Sequence, residues 1–126
     1  MKNSIPKALF LLFSFGILFL FSCSRQILDI QNQTYKSYSR NSERGYVVSF
    51  KSNDTAVIPK SVVINGIVQD ISKANKIGDT YTVNVIAQTA IIHNYQVKLD
   101  NKENGIYFEK NSNLFFQPVN FKLITD

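Results

Sequence analysis

Side chains that could carry out chemistry are few in this sequence, which has one cysteine, Cys23, and one histidine, His93. A metal site needs several converging ligands, and a nucleophilic serine in a Gly-x-Ser-x-Gly turn does not occur in the sequence. We therefore expect His93 to be a core or rim histidine with one hydrogen-bond partner. We expect no catalytic residue, no metal and no cofactor, and keep a small hydrolase that uses His93 as the alternative.

The nine acidic residues are scattered and suggest no local pair for acid–base chemistry. Asp100–Gly105 (DNKENG) is rich in oxygen ligands, but it lacks the spacing of a calcium loop. Lys102 would also oppose a bound cation. We therefore predict a solvated hairpin loop here.

The surroundings of Cys23 are more informative. Residues 1–7 carry Lys2 and Lys7 and no acid, Ala8–Phe21 is almost entirely apolar, and the chain becomes polar directly after the cysteine. This order is typical of a secretory signal peptide, which predicts that residues 1–22 are removed. A retained membrane-spanning helix is the alternative, although the apolar run of 14 residues is shorter than the about 20 residues that a span needs.

Leu20-Phe21-Ser22-Cys23 resembles the lipobox of bacterial lipoproteins. The resemblance covers residues 1–23 and identifies no family for the rest of the chain. It implies that the thiol of Cys23 receives a diacylglyceryl group, that the bond between Ser22 and Cys23 is cut, and that the new amino group is acylated. Two or more acyl chains hold a protein firmly on a membrane.

The resemblance also implies a location in the bacterial cell envelope. In such lipoproteins an aspartate directly after the cysteine favours the inner membrane, whereas this chain has Ser24. The acidic cluster that directs some lipoproteins to the cell surface is missing from residues 24–26. We therefore expect a lipid-anchored protein of the outer membrane that faces the periplasm.

Without residues 1–22 the chain has 104 residues, enough for one domain. That part carries 12 basic and 9 acidic residues with no basic cluster, so we expect no nucleic-acid partner. Residues 24–42 are rich in Ser, Asn, Gln and Tyr and predict a flexible tether. The predicted organisation is a lipidated cysteine and polar tether over 23–44, and a domain over 45–126. A short helix or first strand around residues 26–31 is the alternative.

From Gly45 onward short β-type runs alternate with turn residues. Asn65-Gly66 lies between apolar residues and predicts a two-residue hairpin. In Ala90–Leu99 we expect a strand that places His93 on an apolar face. Seven or eight strands without a convincing helix predict an antiparallel β-sandwich, immunoglobulin-like or transthyretin-like, with a small up-and-down barrel as the alternative. Tryptophan is absent and no disulfide can form within the chain, which excludes the antibody form.

Two adjacent aromatic pairs, Tyr107-Phe108 and Phe115-Phe116, suggest a binding surface. Neighbouring residues of a strand point to opposite faces, so one ring of each pair leaves the core. We predict that Tyr107 and Phe116 point outward and contact a partner, with rings shielded by a loop or by the tether as the alternative.

The sequence therefore predicts a non-catalytic binding or scaffold protein, attached to a membrane by its lipid and bound to an envelope protein. An inhibitor or immunity-type lipoprotein is the alternative, in which Ser72–Asp79 or Asp100–Gly105 would block an enzyme or toxin.

Overall fold

Strands dominate the part of the chain that the computed structural model describes, residues 28–125. In chain order they are β1 (Ile30–Arg40), β2 (Glu43–Ser52), β3 (Ile58–Ile64), β4 (Ile67–Asp70), β5 (Lys76–Ile77), β6 (Thr80–Thr89), β7 (Lys98–Leu99), β8 (Gly105–Lys110), β9 (Asn113–Pro118) and β10 (Lys122–Leu123). One 3-10 turn, Lys73–Asn75, precedes β5.

The strands form two five-stranded sheets, β10-β1-β2-β6-β5 and β7-β4-β3-β8-β9. Neighbouring strands are antiparallel except β1 and β10, which are parallel. The predicted antiparallel β-sandwich is confirmed. The described residues contain ten strands rather than seven or eight, and three of the ten, β5, β7 and β10, are only two residues long.

The core lies between the two sheets because alternate residues of the central strands point inward. Its members with the largest fully buried side chains include Phe50 and Val48 of β2, Val83 and Val85 of β6, Val62 and Ile64 of β3, and Ile106 and Phe108 of β8. Phe50 stacks on Tyr81, with ring centroids 5.0 Å apart. Burying each large apolar side chain contributes about 1.5–3 kcal/mol, so this set holds the sheets together.

Four two-residue turns join neighbouring strands of the described residues, at residues 41–42, 65–66, 78–79 and 111–112. Asn65 and Gly66 have φ angles of 49° and 79° and join β3 to β4, as the sequence predicts. The same left-handed conformation occurs without glycine at residues 41–42 and 111–112. In each of these an asparagine is followed by a serine. Asparagine tolerates positive φ well, which explains why its pairs with serine can replace Asn-Gly.

The predicted tether is wrong where the structure describes it. Residues 30–40 form β1, which pairs along most of β2 through the turn at residues 41–42. The domain therefore includes Leu28 and begins well before residue 45. β10 pairs with β1 at only two positions, Thr34 and Tyr35, and no residue of β1 is fully buried, so a polar sequence is tolerated in this strand. Backbone pairing with β2, rather than an apolar pattern, makes this segment a strand.

The predicted strand over Ala90–Leu99 is also wrong. β6 ends at Thr89, residues 90–97 cross irregularly, and only Lys98–Leu99 pairs as β7. The crossing is required because β6 and β7 belong to different sheets. Ile91 is 62% exposed, so the alternation in this segment does not reflect burial.

Candidate functional site

The predicted partner residues Tyr107 and Phe116 face each other across β8 and β9 on the outer side of their sheet. Their ring centroids are 5.0 Å apart and the rings meet edge to face. Phe108 and Phe115 pair on the inner side, where Phe108 is fully buried and Phe115, on the edge strand, is 37% exposed. Tyr107 and Phe116 are half-buried, so they offer an aromatic surface that is partly covered.

The loop Asp100–Gly105 provides that cover. The Tyr107 hydroxyl donates a hydrogen bond of 2.5 Å to the Asp100 carboxylate, which also accepts the N–H of Lys102 at 3.1 Å. The Lys102 ammonium lies 5.2 Å from the centroid of the Phe116 ring. This loop is therefore tied to the aromatic pair by a hydrogen bond and a cation–π contact, and it covers the two rings in part.

The hydrogen bond between Tyr107 and Asp100 changes the acidity of both groups. It stabilises the carboxylate, so the pKa of Asp100 is lower than usual. It also stabilises the protonated phenol, so the pKa of Tyr107 is raised. At neutral pH the pair is therefore a phenol donating to a carboxylate, an arrangement that positions the loop.

Gly105 leaves room for the Phe116 ring. A side chain at Gly105 would collide with the Phe116 ring and with the carbonyl oxygen of Gln117. The ring therefore covers a backbone position where no Cβ can fit, as aromatic residues often do beside glycine in sheets. Val63 pairs with Gly105 on this outer side and is fully buried, which shows that the centre of the outer face is closed to water.

A cleft of about 870 Å³ opens at one end of the sandwich, and sequence analysis did not predict it. Its walls come from the connection between β2 and β3, the start of β3, residues 71–79 and the start of β6. Its apolar lining includes Val57, Pro59, Ile71 and Tyr81. Val57 and Tyr81 belong to the core cluster, so the cleft reaches down to the core between the two sheets.

Three lysines surround this cleft, Lys60, Lys73 and Lys76. Lys60 precedes Lys73 by 13 positions, which is why the three do not appear in the sequence as one basic cluster. The Lys76 ammonium lies 5.6 Å from the centroid of the Tyr81 ring, a cation–π contact. Lys60 approaches Glu109 at 4.0 Å, and both side chains remain substantially exposed, so this pair is weak.

Both aspartates that line the cleft have other partners. Asp79 is 3.6 Å from the ammonium of Lys51. Asp54 accepts the N–H of Ala56 at 2.9 Å, as in an Asx turn. The lining holds three lysines and two aspartates, a formal excess of one positive charge, so the cleft combines an apolar lining with a weakly positive rim.

His93 lies in the irregular crossing between β6 and β7 and is exposed. The predicted core or rim position is therefore wrong, because the strand that would have carried it does not form. His93 is not among the residues that line the cleft. Within residues 28–125, no group of three or more histidine, cysteine, aspartate or glutamate side chains could hold a metal ion.

The lipidation prediction at Cys23, with cleavage after Ser22, lies outside the described residues. Nearest to it, the backbone of Leu28 forms two hydrogen bonds of 3.0 Å with the side-chain amide of Gln117. The described residues contain no helix that meets the length and hydropathy of a membrane span.

A further site missed from the sequence lies at the turn between β1 and β2. The Tyr38 hydroxyl donates to the Glu43 carboxylate at 2.8 Å. Burial, together with this hydrogen bond, raises the pKa of Tyr38 to about 12. The contact joins two residues five positions apart and closes the turn.

Comparisons with models of protein families, with curated proteins and with solved structures give no significant match.

Proposed function

We propose that this chain is a small lipid-anchored protein of the bacterial envelope that acts as a non-catalytic binding module. The observation that carries the proposal is the place of Cys23, which follows a hydrophobic run of 14 residues and precedes the first strand by seven. A single cysteine in an exported chain has no partner for a disulfide, whereas lipidation accounts for both its place and its solitude.

The fold supports a domain close to the membrane. Only residues 24–29 separate Cys23 from β1, and six extended residues reach at most about 20 Å. The two hydrogen bonds between Leu28 and Gln117 shorten the free segment further. An anchor at Cys23 would therefore restrict the orientation of the sandwich as well as its distance from the lipid.

The anchoring is tested with Cys23→Ala in the native host. We expect an unprocessed precursor that incorporates no labelled fatty acid, because the nucleophile that accepts lipid is missing. Ser24→Ala serves as the matched control and should be processed and labelled normally. A Cys23→Ala protein of mature size that still carries lipid would contradict the proposal.

For the binding role we propose an envelope protein that contacts the Tyr107/Phe116 surface. Large aromatic rings are frequent anchors of protein interfaces, and these two are already ordered by their neighbours. Affinity capture with the lipidated protein should recover a partner that Tyr107→Ala/Phe116→Ala loses. The matched control is Ile77→Ala/Ile91→Ala, which removes exposed apolar side chains elsewhere. Equal loss of the partner in both double variants would contradict the proposal that the Tyr107/Phe116 surface makes the contact.

A further inference from the structure

The cleft at the end of the sandwich has the properties of a small-molecule site. Ligand pockets measure roughly 300–1,000 Å³ and combine apolar walls with a few placed polar groups. This cleft has a volume of about 870 Å³, a core-facing apolar lining and lysines on its rim. We propose that it binds a single-chain anionic lipid, with the acyl chain inside and a carboxylate or phosphate headgroup at the lysines.

The apolar part of the proposed ligand would lie against Val57, Pro59, Ile71 and Tyr81. The Tyr81 ring is held in place because it stacks on Phe50 at an interplanar angle of 11°. Val57 is 4% exposed and Tyr81 is 8% exposed, so this lining is deep rather than superficial. An acyl chain would remove the half-buried Ile71 from water and gain favourable apolar contact.

The charge of the rim selects the headgroup. Lys73 and Lys76 are exposed side chains of the short segment that borders the cleft, and Lys60 borders it from β3. Asp54 and Asp79 also line the cleft, but the three lysines leave a formal excess of one positive charge there, and Asp79 lies 3.6 Å from the ammonium of a further lysine, Lys51. An anion is therefore favoured over a neutral or cationic headgroup.

The position of the cleft suits a ligand taken from a membrane. Ser52, which lines the cleft, pairs with Ile30 at the start of β1. The cleft thus lies at the end of this sheet where the chain arrives from Cys23. This point rests on the proposed anchoring, whereas the volume, lining and charge of the cleft do not.

The test uses photo-crosslinking on the full chain in its native membrane. The probe is dodecanoate with a diazirine at the far end of the chain, compared with its methyl ester and with a trimethylammonium analogue of the same length. Peptides that contain crosslinks are mapped by mass spectrometry. We expect the carboxylate probe to label residues 52–60 and 71–81 about fivefold more than the neutral probe, since several lysines contribute.

Lys73→Gln/Lys76→Gln should reduce this labelling about fivefold. Lys36→Gln/Lys110→Gln removes the same charge away from the cleft and should leave the labelling unchanged. Equal labelling by all three probes, or equal loss in both double variants, would overturn the proposal. Selective labelling of the cleft that persists in Cys23→Ala would support lipid binding there even if Cys23 is not lipidated. The proposed ligand site and the proposed anchor can therefore fail separately.

Discussion

Proline substitutions in β1 test whether the segment after residue 28 is a strand or a tether. The two-residue turn at 41–42 makes Arg40 and Glu43 a hydrogen-bonded pair. Alternation along the antiparallel ladder then makes Lys36 and Val47 hydrogen-bonded, whereas the N–H of Ser37 points to the other edge. The N–H of Ile124 donates to the carbonyl of Tyr35 at 2.8 Å, which confirms that odd-numbered residues face that edge.

Lys36→Pro therefore removes a ladder donor and leaves the Val47 carbonyl without its partner. We expect the free energy of unfolding to fall by about 2–3 kcal/mol, from the lost hydrogen bond and the unsatisfied acceptor. In a domain of about 100 residues this corresponds to a decrease in Tm of about 10–20 °C. Ser37→Pro is the matched control and should cost less than about 1 kcal/mol, because proline is tolerated where the N–H faces an edge.

Urea unfolding of a chain that begins at Ser24 measures both variants, with the m value checking that the same surface is exposed. If both variants matched the unsubstituted chain, residues 30–40 would be a tether. If both lost the same stability, the assigned register would be refuted, because only one of the two positions should donate to β2.

Three further perturbations test the core, the turn and the histidine. Phe108→Ala should lower the free energy of unfolding by about 3–5 kcal/mol and Phe115→Ala by about 1–2 kcal/mol, because only Phe108 is fully buried. Equal losses in urea unfolding would contradict the inner position of Phe108. The raised pKa of Tyr38, about 12, contributes stability that is complete below the ordinary tyrosine value and is lost as pH rises through about 12. Tyr38→Phe should therefore weaken the alkaline fall in stability between about pH 9 and pH 11.5, and an unaltered fall would refute the assignment. His93→Ala should change the free energy of unfolding by less than about 0.5 kcal/mol and should leave partner capture intact, because the side chain is exposed; loss of capture by a folded variant would revive a role for this residue.

Local sequence patterns were sufficient to predict the strands in which the alternation of apolar and polar residues coincides with burial. Tyr81, Val83 and Val85 alternate with polar residues, and all three are buried. Asn65-Gly66 predicted its hairpin because positive φ is a property of the two residues themselves. The lipobox resemblance at residues 20–23 is equally local, since it depends only on the residue types along the sequence.

The alternation of apolar and polar residues gave a wrong strand prediction where the chain crosses between the two sheets. Ile91 and His93 have the spacing of a strand, yet the segment must connect β6 in one sheet to β7 in the other. Conversely, β1 lacks an apolar pattern and becomes a strand because β2 supplies hydrogen-bond partners along its length. Pairing partners are distant in sequence, so periodicity alone cannot reveal them.

The sequence by itself determined the all-β character, the hairpin at Asn65-Gly66, and the isolated cysteine that motivates the anchoring proposal. Only the tertiary structure decided where the domain begins and which lysines meet. Lys60 and Lys76 are separated by 16 positions and lie on strands of different sheets, yet both border one cleft. Their convergence follows from the packing of the two sheets, which depends on contacts between residues far apart along the chain.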